Sequence, residues 1–244
     1  MHQVIPEIGQ IIGHRGASGS TPENTMAAFQ QALSLGCHFI EFDVMLTRDG
    51  VPVIMHDETL RRTTNGRGEV GLLDVAYLDS LDAGKWFSRR FRGEKIPHFD
   101  DVLQWLISQN MNANIEIKPY PTKAHETTTA VLTSINRYWP MDKPLPLVSS
   151  FDWSAMQLTR SLSPEMPLGM LMHKWDKDWL AKATELNCYS IHLNRRLVTP
   201  DRVQLMKEQG FRVFAYTVNR RRLARKLLAM GVDALFSNYP DLLS

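Results

Sequence analysis

Short runs of β-branched and apolar residues alternate with amphipathic stretches of helical period along nearly the whole chain. The first apolar run predicts a strand over 10–14, and the stretch after it predicts a helix over 22–35. Pro22 suits the first helical turn and Gly36 suits the stop. A strand over 39–46 follows, and Arg48-Asp49-Gly50 turns it back into a second extended run over 51–56. Further helices are predicted over 99–109, 125–138, 153–162, 176–186, 200–209 and 221–230. The strands between and after them fall over 113–118, 147–150, 168–172, 190–193, 212–218 and 234–236.

With the two runs around Asp49-Gly50 counted as one strand region, eight strand-led units fill 244 residues. Regular strand–helix alternation points to a parallel sheet. Eight such units in this length favour a closed barrel over an open doubly wound sheet. No G-x-G-x-x-G follows any strand, which weakens the dinucleotide-fold alternative. The expected fold is α/β, a (β/α)8 TIM barrel over residues 1–244 with a small insertion after the second strand. That insertion, about 58–97, has little periodicity and many Gly, Arg and aromatic residues. It far exceeds the roughly 2–6 residues of a βα loop. Because it follows His56-Asp57, it is expected over the active-site face. The alternative is a subdomain that only covers the barrel end.

Composition adds little to this picture. With 43% hydrophobic and 22% charged residues, the chain has ample material for a core. A net charge of +2, from 28 basic and 26 acidic residues, does not suggest nucleic-acid binding. The dense basic run Arg220-Arg221-Arg222 with Arg225 and Lys226 reads as a solvated helix face. A phosphate or membrane patch is the minority alternative. Cys37 and Cys188 are too far apart for a metal spacing or a disulfide framework, so two buried free thiols in a reducing compartment are expected. The opening MHQVIPEIGQIIGHRG shows no secretory signal. No apolar run approaches the ~18–20 residues that span a membrane. A cytoplasmic protein without a stable membrane anchor is the expectation; oligomeric state is open.

The polar residues that close the strands carry the chemistry, because barrel active sites form at the carboxyl ends of strands. The first strand ends in His14-Arg15-Gly16, the second contains Glu41-Phe42-Asp43, and its continuation ends in His56-Asp57. The next contains Glu116-Ile117-Lys118. Polar residues two apart share one side of a strand, so Phe42 and Ile117 should face the helices. Three converging acids repel one another, and a divalent cation resolves that repulsion. All-oxygen ligands favour one Mg2+ or Ca2+ ion per site. The alternative is a set of buried salt bridges with Arg15 and Lys118. His14 and His56 suit proton transfer near neutral pH. His2, His38, His98, His125 and His173 are expected to be structural. His192, beside Asn194 on one strand face, is a candidate to line the substrate cleft.

The ordered set His14-Arg15-Gly16, Pro22-Glu23-Asn24-Thr25, Glu41-Phe42-Asp43-Val44, His56-Asp57 and Ile115-Glu116-Ile117-Lys118 resembles the glycerophosphodiester phosphodiesterases. The resemblance continues through Arg62-Thr63-Thr64-Asn65-Gly66, Ser149-Ser150-Phe151, 190–194 and Tyr216-Thr217-Val218-Asn219. It implies the same barrel, with Glu41, Asp43 and Glu116 as metal ligands and His14 and His56 as the acid–base pair. Arg15 and Lys118 become phosphate contacts. Tyr216 stands where many relatives carry Trp, so the wall at the glycerol end differs. Ser237-Asn238 stands where the family often has Thr-Asp, at a position that is not a ligand.

The implied reaction is metal-dependent hydrolysis of a small-molecule glycerophosphodiester to sn-glycerol 3-phosphate and an alcohol. His14 is assigned as base and His56 as acid, although the reverse assignment stays open. Both water and the glycerol 2-hydroxyl fit as nucleophile. A lysophospholipase D-like enzyme on the same barrel is a rival, and it would need an apolar rim that only Trp86, Phe87 and Phe91 hint at. A non-catalytic phosphate-ester binding protein is another, but no histidine or ligand is lost. Head-group preference and metal identity are not written in the sequence.

Overall fold

A computed structural model describes residues 8–244. The opening segment and His2 therefore lie outside the described residues. Eight parallel strands close into a barrel: β1 (Ile11–His14), β2 (Phe39–Leu46), β4 (Asn112–Ile117), β5 (Leu147–Ser150), β6 (Leu168–Met172), β7 (Ser190–Asn194), β8 (Arg212–Tyr216) and β9 (Ala234–Ser237). Pairing of β1 with both β2 and β9 closes the ring. The short β3 (Pro52–Ile54) runs antiparallel beside β2 and stands outside the barrel. The hairpin expected at Asp49-Gly50 is thus present, and Gly50 turns it with a φ of 83°.

Helices α1 (Met26–Ser34), α3 (Phe99–Ser108), α4 (Ala124–Tyr138), α5 (Trp153–Leu162), α6 (Trp179–Glu185), α7 (Pro200–Glu208) and α8 (Arg221–Ala229) surround the barrel, while α2 (Val75–Asp79) lies in the insertion. Every residue of β2 is buried, and its two faces do different work. Phe42 points outward, with its ring 5.5 Å from Phe29 of α1 and 6.2 Å from Phe99 of α3. Burying such a ring contributes about 2–3 kcal/mol. The opposite face of β2 is thereby left for Glu41 and Asp43. Ile12, Phe39, Leu147, Phe214 and Phe236 fill the barrel interior below the site.

Two helices begin later than their patterns suggest. α1 starts at Met26, because Thr25 caps it by accepting a hydrogen bond from the Ala28 N–H at 3.3 Å. Pro22, Glu23 and Asn24 stay in the preceding loop, with Asn24 at a φ of 56°. α6 starts at Trp179, because Asp176 spends its carboxylate on the Asp178 N–H at 2.9 Å and forms a turn instead. Gly36 ends α1 with a φ of 78°, as its position predicts. The basic residues Arg220, Arg221, Arg222, Arg225 and Lys226 lie on the exposed side of α8. Cys37 and Cys188 are buried free thiols.

The insertion has little regular structure but a small core of its own, which includes Met55, Leu60, Val70, Leu78 and Ile96. It packs on β2 and β3. Trp86, Phe87 and Phe91 pair edge to face at 5.7 and 5.9 Å, so they engage one another rather than standing as separate anchors. Among the described residues, no helix is long and apolar enough to cross a membrane.

Candidate active site

At the carboxyl end of the barrel the strand register sets His14 beside Glu41 and Asp43 beside Glu116. One carboxylate oxygen each from Glu41, Asp43 and Glu116 lies within 4.8 Å of the other two. Burial, then the charges of Asp43 and Glu116, push the Glu41 carboxyl well above its usual range. Burial and Asp43 push Glu116 up to about 7. Asp43 goes the other way. Burial opposes its charge, but Arg15, His56 and Lys118 outweigh it and hold the carboxyl below the usual range.

Two cations stand among these acids. Arg15 Nε lies 3.3 Å from Asp43, and Lys118 Nζ lies 3.9 Å from Asp43 and 3.7 Å from Glu116. Arg15 adopts a left-handed backbone (φ 55°), which aims its N–H at Glu41 Oε2 at 3.0 Å. Its Nη1 donates to Glu23 at 2.7 Å. The acid cluster and the salt bridges expected as alternatives therefore coexist. Among the described residues three carboxylates face two cations, and Glu41 receives a backbone N–H but no direct Arg or Lys partner.

The two histidines flank the cluster. His14 Nδ1 bonds Asn238 Oδ1 at 2.8 Å, and its Nε2 lies 4.0 Å from Glu41. Burial, with help from Arg15, lowers its pKa to about 4. His56 Nδ1 bonds Asp57 Oδ1 at 2.6 Å, and burial lowers its pKa as well. With Nδ1 occupied in each ring, Nε2 is left for the cleft.

His14, Arg15, Glu41, His56, Glu116 and Tyr216 line a cleft of about 350 Å3. Asp43 and Lys118 are not among its lining residues and are joined to them by the ion pairs above. Phe151, Leu171, His173, Asn194 and Arg195 form the opposite side. Tyr216 packs edge-on against Phe151 at 6.2 Å, and its buried hydroxyl has no partner among the described residues. Burial, then Glu116, raises the pKa of that hydroxyl.

Two expectations need correction. His192 does not reach the cleft. It is fully buried, bonds Ser190 Oγ at 2.8 Å and stacks on Phe214 at 5.1 Å. Its ring occupies the space above Gly169, where a Cβ would come within 2.3 Å of it. Asn194, two residues on and one layer higher, is the residue that lines the cleft. His173, expected to be structural, lines it too. The sequence also assigned no role to Asn24, whose amide donates to Asp43 at 2.9 Å, nor to Asp57, Arg62, Arg195 or Asn238. Glu23, Asn24 and Arg62 sat inside recognisable motifs, which was the available signal.

The (β/α)8 barrel thus carries, at its carboxyl face, an acid cluster flanked by two histidines. Residues 14–242 match the Glycerophosphoryl diester phosphodiesterase family, and the chain belongs to it. It is thus a hydrolase of the glycerophosphodiester phosphodiesterase class. A glycerophosphodiester phosphodiesterase of Caldanaerobacter subterraneus subsp. tengcongensis is 33% identical, over 96% of this chain and 95% of the relative. The structure of an Oleispira antarctica phosphodiesterase in complex with the product sn-glycerol-3-phosphate is 36% identical. It superposes with a TM-score of 0.93, covering 96% of this chain and 94% of that one. Glycerophosphodiester phosphodiesterase from Agrobacterium tumefaciens gives a TM-score of 0.80 at 30% identity, covering 96% and 98%.

Proposed function

We propose that the chain hydrolyses glycerophosphodiesters to sn-glycerol 3-phosphate and an alcohol. In this scheme a divalent ion sits on Glu41, Asp43 and Glu116, while His14 and His56 move the protons. The observation that carries the proposal is the buried acid cluster, with oxygens within 4.8 Å and one cation too few. Hard oxygen donors of this kind suit Mg2+ or Ca2+. When bound, the ion would offset negative charge on the phosphoryl oxygens. The product named in the Oleispira antarctica complex supports the same substrate class.

The chain's own groups have separable tasks. In this reading Arg15, which lines the cleft, holds the phosphate oxygens, and Lys118, paired with Asp43 and Glu116 beside it, adds positive charge that stabilises what builds on them. The two histidines differ in their supports. His14 leans on a neutral amide and resists protonation, which suits the base that takes a proton from the attacking hydroxyl. His56 leans on a carboxylate, which offsets part of the burial penalty on its charged form and makes it the better suited of the two to protonate the departing alcohol. The attacking hydroxyl is that of water or of the neighbouring glycerol 2-position. A substrate analogue lacking the 2-hydroxyl separates the two, because its turnover rules out the cyclic route.

Release of sn-glycerol 3-phosphate by His14→Ala and His56→Ala tests the scheme. Each variant should lose roughly 10²–10⁴-fold in kcat while keeping its fold. Wild-type turnover by either one would remove that histidine from the mechanism.

A further inference from the structure

Arg62 lies in the insertion, outside the barrel, yet its guanidinium joins the supports of two active-site groups. Its Nε donates to Asp57 Oδ2 at 2.6 Å, and its Nη2 donates to Asp57 Oδ1 at 3.0 Å. The same Nη2 donates to Glu23 Oε1 at 2.8 Å, and Nη1 donates to Glu23 Oε2 at 2.7 Å. Both carboxylates are shared with the site. Asp57 Oδ1 also bonds His56 Nδ1, and Glu23 Oε1 also accepts from Arg15 Nη1. The result is an unbroken chain of His56, Asp57, Arg62, Glu23, Arg15 and Asp43.

We propose that Arg62 is a positioning residue. From the insertion, it holds His56 and Arg15 at their working stations through Asp57 and Glu23. This builds on the roles proposed above for His56 and Arg15. The physical reason is charge and geometry together. Asp57 and Glu23 repel each other, and one planar fork satisfies all four of their oxygens. Without it each carboxylate is free to rotate, and each carries a catalytic-site partner with it. A misplacement of about 1 Å costs a reaction on the order of 10²-fold. The insertion is then more than a cover over the barrel end. Its Arg62 is what fixes the geometry at the mouth. Lysine does not replace it, because a single ammonium cannot bridge two carboxylates bidentately.

The full-length enzyme carrying Arg62→Ala or Arg62→Lys tests this. We expect kcat to fall about 10- to 100-fold in both. KM should stay within about threefold, and Tm should move by less than about 5 °C, as befits a half-exposed side chain. Guanidinium at concentrations below those that unfold the protein should restore part of kcat in Arg62→Ala, while ammonium at equal ionic strength should not. Wild-type kcat in Arg62→Ala overturns the proposal. So does a loss that guanidinium fails to rescue and that follows a fall in Tm, since that is a purely structural role. If His56→Ala is inactive while Arg62→Ala is fully active, only the role of Arg62 falls. If His56→Ala keeps wild-type turnover, His56 has no catalytic role and the proposal falls with it.

Discussion

His14 Nδ1 meets Asn238 Oδ1 at 2.8 Å, across 224 positions of sequence and the seam where β9 closes the barrel on β1. Asn238 is itself held in place, because its backbone N–H donates to Asn219 Oδ1 at 2.9 Å. An amide oxygen in this place selects the tautomer with hydrogen on Nδ1 and leaves Nε2 as the acceptor. A carboxylate would do the same and would also favour the imidazolium. Asn238→Leu should therefore lower kcat about 10²-fold. Asn238→Asp should retain most of it and move the acidic limb of kcat/KM to higher pH. The pH–rate profiles of the two variants check this, and an unshifted limb in Asn238→Asp would contradict it.

The fate of that contact shows what the sequence could convey. Strands 39–46, 147–150 and 168–172 and helix 153–162 match their hydrophobic patterns residue for residue, because burial on a barrel imposes a strict period. Glu41, Asp43 and Glu116 were legible for the same reason: polar residues two apart on apolar strands have to converge. Ser237-Asn238 offered no such signal, since closing the barrel joins the two ends of the chain by a route no local pattern records. Arg62 carried a motif signal but no periodic one, because the backbone of the insertion follows turns rather than a period. His192 was misread because alternation tells which side a residue faces but not how deep it sits.

That depth yields a prediction for His192. Removing its ring leaves a cavity over Gly169 and an unpaired Ser190 hydroxyl. His192→Ala should cost about 2–4 kcal/mol of stability and leave KM unchanged. Urea unfolding and substrate titration measure the two separately. A raised KM without loss of stability would return His192 to the substrate cleft.

The acid cluster makes the chelated protein pH-sensitive in a definite direction. A carboxyl whose pKa is raised on folding binds more protons folded than unfolded, so stability falls as pH rises through that window. For Glu116 the window runs from 4.5 to about 7. Across it, the Glu116 contribution to stability should fall by an amount on the order of 3 kcal/mol. His14 and His56, whose pKa values fall on folding, act in the opposite sense, so the Glu116 share is read as a difference: in the presence of a chelator, Glu116→Gln should raise Tm at pH 8 relative to pH 5.5 when compared with the wild type. Added divalent ion should raise Tm more at pH 8 than at pH 5.5, because it replaces protons among the same oxygens. An identical change of chelated Tm with pH in the two proteins would contradict this.

Burial raises the pKa of Cys37 and pushes the Cys188 thiol up to about 12. Neither is a reactive thiolate at neutral pH. A disulfide reagent at pH 8 should label no thiol in the native protein and both Cys37 and Cys188 after unfolding. Rapid native labelling of either would contradict the burial described above.

The metal requirement of Glu41, Asp43 and Glu116 is tested most directly by release of sn-glycerol 3-phosphate from glycerophosphodiesters before chelation, after it, and after adding back Mg2+, Ca2+ or Mn2+ singly. Release should stop on chelation and return with at least one ion in the wild type, and it should return with none in Glu116→Gln. Undiminished release from the chelated wild type, or restored release in Glu116→Gln, would contradict a divalent ion held by these three acids.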